Sequence, residues 1–166
     1  MGKICAFLGN NHDKFLDINL GHRTPPNLKD ALINLIENED VDTFLVGEKG
    51  GYEIDAYDVV LDVQKEYPHI RIYLVISQMT DLHEMGVRDG AQVIERRGFD
   101  DFILPPKCEL GYKRLCIVYR NRYIIENTNF VIAYNKREGK AYEFCKAAKG
   151  KGVKVIELAE KQDYFQ

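Results

Sequence analysis

The chain has 166 residues, 45% of them hydrophobic and 30% charged, which suits one soluble domain with a sizeable core. A formal net charge of −3 and a sequence pI of about 5.8 provide no basic field to attract nucleic acid. Because no apolar run approaches the roughly 20 residues of a membrane span and the N-terminus lacks a signal-peptide layout, we expect a cytoplasmic protein without a membrane segment.

Strand-like and helix-like patterns alternate through the first half of the chain. Compact apolar runs predict strands over residues 3–8, 43–46 and 70–76. Apolar residues at helical spacing predict two helices between these strands. The first helical set is Leu28, Leu32, Leu35 and Ile36, and the second is Ile54, Ala56, Tyr57, Val60, Leu61 and Val63. Pro68 cannot continue the second helix, which is therefore expected to end before Tyr67.

The same alternation continues in the second half. The pattern predicts a helix over 87–97 and a short strand over 99–104, stopped by Pro105 and Pro106. A further helix is outlined by Tyr112, Leu115, Cys116, Tyr119 and Tyr123. Residues 130–134 and 153–157 are predicted as strands, and the helix between them presents Ala141, Phe144, Cys145 and Ala148 on one face.

Apolar strands that alternate with helices are typical of a parallel sheet covered on both faces. The sequence therefore predicts an α/β fold, a three-layer sandwich with a mostly parallel, Rossmann-like sheet. We expect a single domain over residues 1–158 and a polar C-terminal tail over 159–166.

Small, amide and charged residues collect where the predicted strands end. Ligands of such sheets bind outside the carboxyl ends of the strands. The residues found there include Gly9 and Asn10 after the first strand, and Gly47, Gly50, Gly51, Tyr52 and Glu53 after the second. Ser77 and Gln78 follow the third strand, and residues 135–139 follow the strand over 130–134. Turns are rich in glycine and asparagine in any case, but four such turns on one edge favour a site for a polar ligand.

The glycine cluster from Gly47 to Gly51 does not match the common phosphate-binding motifs. It is neither G-x-x-x-x-G-K-[ST] nor G-x-G-x-x-G with a downstream acidic residue. These departures argue against an ordinary ATPase and against a dinucleotide-dependent dehydrogenase.

Cysteine and histidine spacing predicts no metal site. None of the four cysteines forms a C-x-x-C pair, and the four histidines are scattered. We expect reduced thiols, at least two of them in the core, and no cofactor.

Several segments in order carry a family resemblance: Gly9, Gly21-His22-Arg23, residues 44–47 with Gly50-Gly51, residues 120–126, and residues 130–134. In this order and spacing the chain resembles the SLOG superfamily over roughly residues 4–157, and most closely its YpsA-like branch of small bacterial Rossmannoid proteins. The superfamily also holds the LOG-type nucleotide phosphoribohydrolases and the Rossmann domain of the DNA-processing protein DprA. The resemblance implies a nucleotide-like ligand, and a homodimer is expected because relatives often self-associate.

The chain departs from the family pattern at two places. YpsA-like proteins usually carry Gly-His-Arg directly after the first strand, whereas Gly21-His22-Arg23 follows it by about a dozen residues. LOG-type enzymes carry Gly-Gly-x-Gly-Thr-x-x-Glu in a late turn. Here Gly139 and Glu143 keep that spacing, but Lys140 replaces the threonine and the leading glycines are missing.

Two charged residues are candidates for chemistry at this site. The resemblance places an arginine of segment 120–126 near the ligand, and Arg120 is the better candidate for a phosphate contact. The alternative is that Arg120 belongs to a solvated helix face. Glu143 is the candidate carboxylate for N-glycosidic bond cleavage, or else an ordinary acidic residue favoured by the helix dipole. A tyrosine near this edge could stack on a base, and the candidates are Tyr52, Tyr134 and Tyr142.

Three functions remain open on the sequence. The first is a nucleotide-binding sensor or regulatory module with Gly9, Asn10, Gly47, Gly50 and Gly51 as backbone contacts. The second is a LOG-like nucleoside or nucleotide N-glycosidase that uses Glu143. The third, a DprA-like binder of single-stranded DNA, is disfavoured by the acidic pI and by the lack of an aromatic and basic stripe.

Overall fold

The fold is a parallel sheet with helices between its strands. The computed structural model describes residues 2–9, 27–47, 51–76, 99–108, 113–134 and 139–158. The strands in these ranges are β1 (Lys3–Gly9), β2 (Val41–Gly47), β3 (Arg71–Val75), β4 (Asp101–Ile103), β5 (Phe130–Tyr134) and β6 (Lys154–Glu157). The α-helices are α1 (Leu28–Asn38), α2 (Gly51–Glu66), α3 (Lys113–Asn127) and α4 (Gly139–Gly150), and a short 3-10 helix covers Pro106–Cys108.

The six strands form one sheet in the order β4-β3-β2-β1-β5-β6, and every described pair is parallel. Parallel strands need crossover connections, and α1, α2, α3 and α4 supply those between β1 and β2, β2 and β3, β4 and β5, and β5 and β6. The predicted α/β, Rossmann-like class is confirmed. A parallel sheet was predictable because strands buried on both faces read as continuous apolar runs.

Alternate residues of each central strand enter two separate cores. On β1, Cys5 and Phe7 pack into the core beneath α1 and α2, while Ala6 and Leu8 pack into the core beneath α3 and α4. This period of two follows from the pleat, which directs successive side chains to opposite faces. The ring of Phe7 stacks on that of Phe44, with centroids 6.1 Å apart. The helices therefore cover both faces of the sheet, as predicted.

Helix α1 buries the four apolar residues that its spacing predicted, Leu28, Leu32, Leu35 and Ile36. Helix α3 is also present, but its buried stripe matches the residues that outlined it only in part. Leu115 is 42% exposed, whereas Cys116, Arg120 and Ile124 are buried at a spacing of four residues. An arginine was not expected in a buried stripe, but its aliphatic stem packs like an apolar side chain.

Some sequence predictions lie outside the described residues. These are the helix over 87–97, the tail over 159–166 and the Gly21-His22-Arg23 segment. In the part of the chain that the structure describes, no helix is both long and apolar enough to cross a membrane.

All four cysteines are buried and none is in a disulfide. Burial raises the pKa of the Cys5 thiol far above its ordinary value, because the charged thiolate loses its solvation. Only the thiolate reacts readily with disulfide reagents. We expect the native protein to react with such a reagent slowly at pH 8, and all four thiols to react within the mixing time in denaturant. Rapid labelling of two or more thiols in the native protein would contradict the burial described here.

Candidate functional site

The sheet has a topological switch point between β1 and β5. These strands are neighbours, with Gly9 opposite Tyr134 at their carboxyl ends. From β1 the chain passes to α1 on one face of the sheet, and from β5 it passes to α4 on the other face. In open parallel sheets, ligands bind outside the carboxyl ends of the strands at such a switch point.

Four of the predicted glycines lie at this carboxyl edge. Gly9 ends β1 and Gly47 ends β2, while Gly51 and Gly139 are the first residues of α2 and α4. Tyr52 and Glu53, the second and third residues of α2, start at the same edge. Asn10 and Gly50 lie outside the described residues. The fold therefore brings together the described glycines of the predicted site, although they are up to 130 positions apart in the chain.

The N-termini of α2 and α4 differ in charge. Free N–H groups and the helix dipole make a helix N-terminus favourable for anions. The third residue of α2 is Glu53. The first turn of α4 holds no acidic residue, and its second residue is Lys140. By residue type, the first turn of α4 is therefore more favourable to an anion than that of α2.

Arg120 is the middle residue of α3, and its side chain is only 7% exposed. Its Nη2 donates a hydrogen bond to Oδ1 of Asn121 at 3.2 Å. Helix α3 leads from the 3-10 turn after β4 to the amino end of β5. Arg120 is seven positions from each end of this helix, which places it about 10 Å along the axis from either end. The solvated-face alternative for Arg120 is therefore wrong, and a phosphate contact stays a prediction.

Glu143 is the fifth residue of α4. Its side chain is 70% exposed, and a carboxylate oxygen lies 3.9 Å from Nζ of Lys146. The Lys146 ammonium also lies over the ring of Tyr142, 4.9 Å from its centroid. Glu143 therefore belongs to a solvated group of side chains on α4.

Within the described ranges, no group of three histidine, cysteine or acidic side chains is close enough to hold a metal ion. Leu8 and Ala133, which precede Gly9 and Tyr134, are buried in the core beneath α3 and α4. The chemistry that this arrangement can perform is binding through backbone N–H groups and through charge.

No protein-family model and no curated protein matches this chain. A solved structure from Aquifex aeolicus VF5, described as a structural study of a project target, is similar to it with a TM-score of 0.38 and 17% sequence identity. The similarity covers 94% of this chain and 74% of that one. Likeness at this level indicates neither a ligand nor an activity.

Proposed function

We propose that this protein binds a nucleotide or a nucleotide derivative at the carboxyl edge of its sheet and acts as a sensor or regulatory module. The observation that carries the proposal is the switch point between β1 and β5, with the N-terminus of α4 beside it. The phosphate of the ligand would lie at the first turn of α4, where N–H groups and Lys140 favour an anion.

The pairing of Gly9 with Tyr134 supports a close approach of the rest of the ligand to β1. Gly9 has no side chain, so a base or ribose would meet backbone there. Tyrosine, the residue type opposite it, suits a base. The resemblance to the SLOG superfamily supports a ligand of the same class.

Binding without hydrolysis agrees best with the surroundings of Glu143. A carboxylate that cleaves an N-glycosidic bond must be held beside the sugar, often with its pKa adjusted by a shielded environment. Glu143 is instead largely exposed and lies near Lys146. The LOG-like hydrolase therefore receives no support from this geometry.

Lys140→Glu is expected to weaken binding of AMP about tenfold, equivalent to about 1.4 kcal/mol. The substitution places a carboxylate in the first turn of α4, where it competes with the phosphate for the N–H groups. Isothermal titration calorimetry of the wild type and the variant measures the change. At an AMP concentration of 100 Kd, the wild type should gain about 2.7 kcal/mol of stability.

Lys146→Glu is the matched control, since it changes the net charge equally but lies about 9 Å further along the same helix. Its affinity for AMP should stay within about twofold of the wild type. Equal weakening in both variants would show that only net charge matters. Failure of AMP, ADP and GMP to bind or to stabilise the wild type would contradict the proposed function, and release of free base would favour the hydrolase.

A further inference from the structure

A second charged site lies at the opposite, amino edge of the sheet. A cleft of about 490 Å³ opens there beside the first residues of β1, β5 and β6. Three lysines line it: Lys3 begins β1, Lys154 begins β6, and Lys151 lies in the turn between α4 and β6. The cleft is separated from the carboxyl edge by the length of the strands, so it is independent of the proposed nucleotide site.

Lys3 and Lys154 converge because β1 and β6 both pair with β5. The first residue of β5 is Phe130, which lies opposite Lys154 in the register. The Nζ atoms of Lys3 and Lys154 are each 5.8 Å from the centroid of the Phe130 ring. The two ammonium groups are therefore separated by at most twice that distance. The electron-rich ring face attracts each cation.

Lysines outnumber carboxylates in the lining of the cleft. Among the described residues that line the cleft, Glu126 supplies the only carboxylate. None of the three lysines forms an ion pair with another residue in the described part of the chain. Three cations that face one carboxylate leave an excess of positive charge, and an anion in the cleft would relieve the repulsion.

Hydrogen bonds hold the backbone that carries these lysines. The side-chain Oδ1 of Asn129 accepts a hydrogen bond from the backbone N–H of Ile4 at 2.9 Å, and the backbone N–H of Asn129 donates to the Ile4 carbonyl at 2.8 Å. The backbone carbonyl of Asn129 accepts from the N–H of Lys154 at 3.1 Å. Asn129 therefore joins the starts of all three strands.

The turn that carries Lys151 is a Schellman motif. The N–H of Val153 donates to the carbonyl of Ala148 at 3.0 Å, and the N–H of Gly152 donates to that of Lys149 at 3.1 Å. Gly152 has a φ of 85°, a left-handed conformation that glycine adopts without strain. Lys151 and Lys154 are thus carried on a backbone with a defined shape, so less conformational freedom is lost when a ligand binds.

We propose that this amino-edge cleft binds a diphosphate group, either as inorganic pyrophosphate or as the diphosphate of a larger molecule. Lysine binds phosphate as a point charge and cannot form the two-pronged contact by which arginine recognises carboxylates. Three lysines therefore favour a ligand that carries several negative charges in a small volume. A diphosphate carries such a charge and can be shared between ammonium groups on separate strands. The cleft is local, whereas a nucleic acid would need a longer basic stripe.

The test is calorimetric titration of the wild type with inorganic pyrophosphate at low ionic strength, with inorganic phosphate and ADP in parallel. We expect pyrophosphate to bind more tightly than phosphate, and Lys3→Gln/Lys154→Gln to weaken it at least about tenfold. Lys65→Gln is the control, because Lys65 is exposed at the end of α2, and it should bind as the wild type does. Circular dichroism checks that the variants are folded.

Several results would overturn the proposal. They are the failure of both pyrophosphate and ADP to bind the folded wild type in a way that depends on Lys3 and Lys154, and equal weakening in the Lys65→Gln control. Loss of pyrophosphate binding in Lys140→Glu would place the ligand at the carboxyl edge instead. Tighter binding of a single-stranded oligonucleotide, lost in the double lysine variant, would identify a nucleic-acid surface. If ADP alone binds and the double variant weakens it, the diphosphate belongs to a nucleotide, which supports the proposal.

Discussion

Leu32→Ala is expected to lower the free energy of unfolding by about 3 kcal/mol, within the range of about 2–5 kcal/mol for such truncations in cores. Leu32 is fully buried on α1, which packs against α2 and β2. The truncation removes apolar area from the core and leaves a cavity, because closely packed neighbours relax only in part. For a chain of this size the melting temperature should fall by about 10 °C. Urea unfolding monitored by circular dichroism measures the loss.

Leu115→Ala makes the same chemical change on α3, where the leucine is 42% exposed. Its effect should stay within about 0.5 kcal/mol, since an exposed side chain loses little burial and alanine is the best helix former. The pair therefore tests the buried stripe of α3 as well as the core beneath α1. A loss for Leu115→Ala as large as that for Leu32→Ala would contradict the orientation of α3.

Arg120→Ala is expected to cost about 2 kcal/mol of stability. The side chain is 7% exposed and donates a hydrogen bond to Asn121, so the substitution removes both packed stem and polar contacts inside the protein. Arg122→Ala is the matched control, because Arg122 is exposed two residues further along the same helix. It should change the stability by less than about 0.5 kcal/mol.

Affinity for AMP separates the two roles of Arg120. If its guanidinium contacts phosphate, as the family resemblance implies, the folded fraction of Arg120→Ala should bind AMP more weakly while Arg122→Ala binds it normally. If the Arg120 side chain only packs between α3 and the interior of the protein, the affinity of the folded variant for AMP is unchanged. Equal stability of both arginine variants would contradict the burial of Arg120.

Much of the fold could be predicted from the sequence because it depends on local periodicity. Residues 3–8 and 130–134 are continuous apolar runs, and both are strands in the structure. The spacing of Leu28, Leu32 and Leu35 identified α1 and its buried face. An apolar period of two residues in a strand, or of 3.6 residues in a helix, identifies the buried side of that element, whichever element packs against it.

Helix α3 shows where periodicity is insufficient. Of the residues that predicted this helix, Leu115 is exposed and Cys116 is buried, and the buried stripe continues through Arg120 and Ile124. Tyrosine and arginine combine an apolar stem with a polar end, so each can lie at the boundary of a core or within it. The neighbours of α3 decide which stripe is buried, and these include the 3-10 turn at Pro106–Cys108, α4 and the core around Ile124, some of them distant in sequence.

By itself the sequence determined the alternation of strands and helices, the parallel sheet and the presence of glycines where strands end. Strand order came only from the tertiary structure, because pairing joins strands that are remote along the chain. That order creates the switch point between Gly9 and Tyr134, and it places the N-terminus of α4 beside that point. It also brings Lys3 to within reach of Lys154 across Phe130, since β1 and β6 both flank β5. Local patterns encode burial, whereas the proximity of distant charges depends on topology.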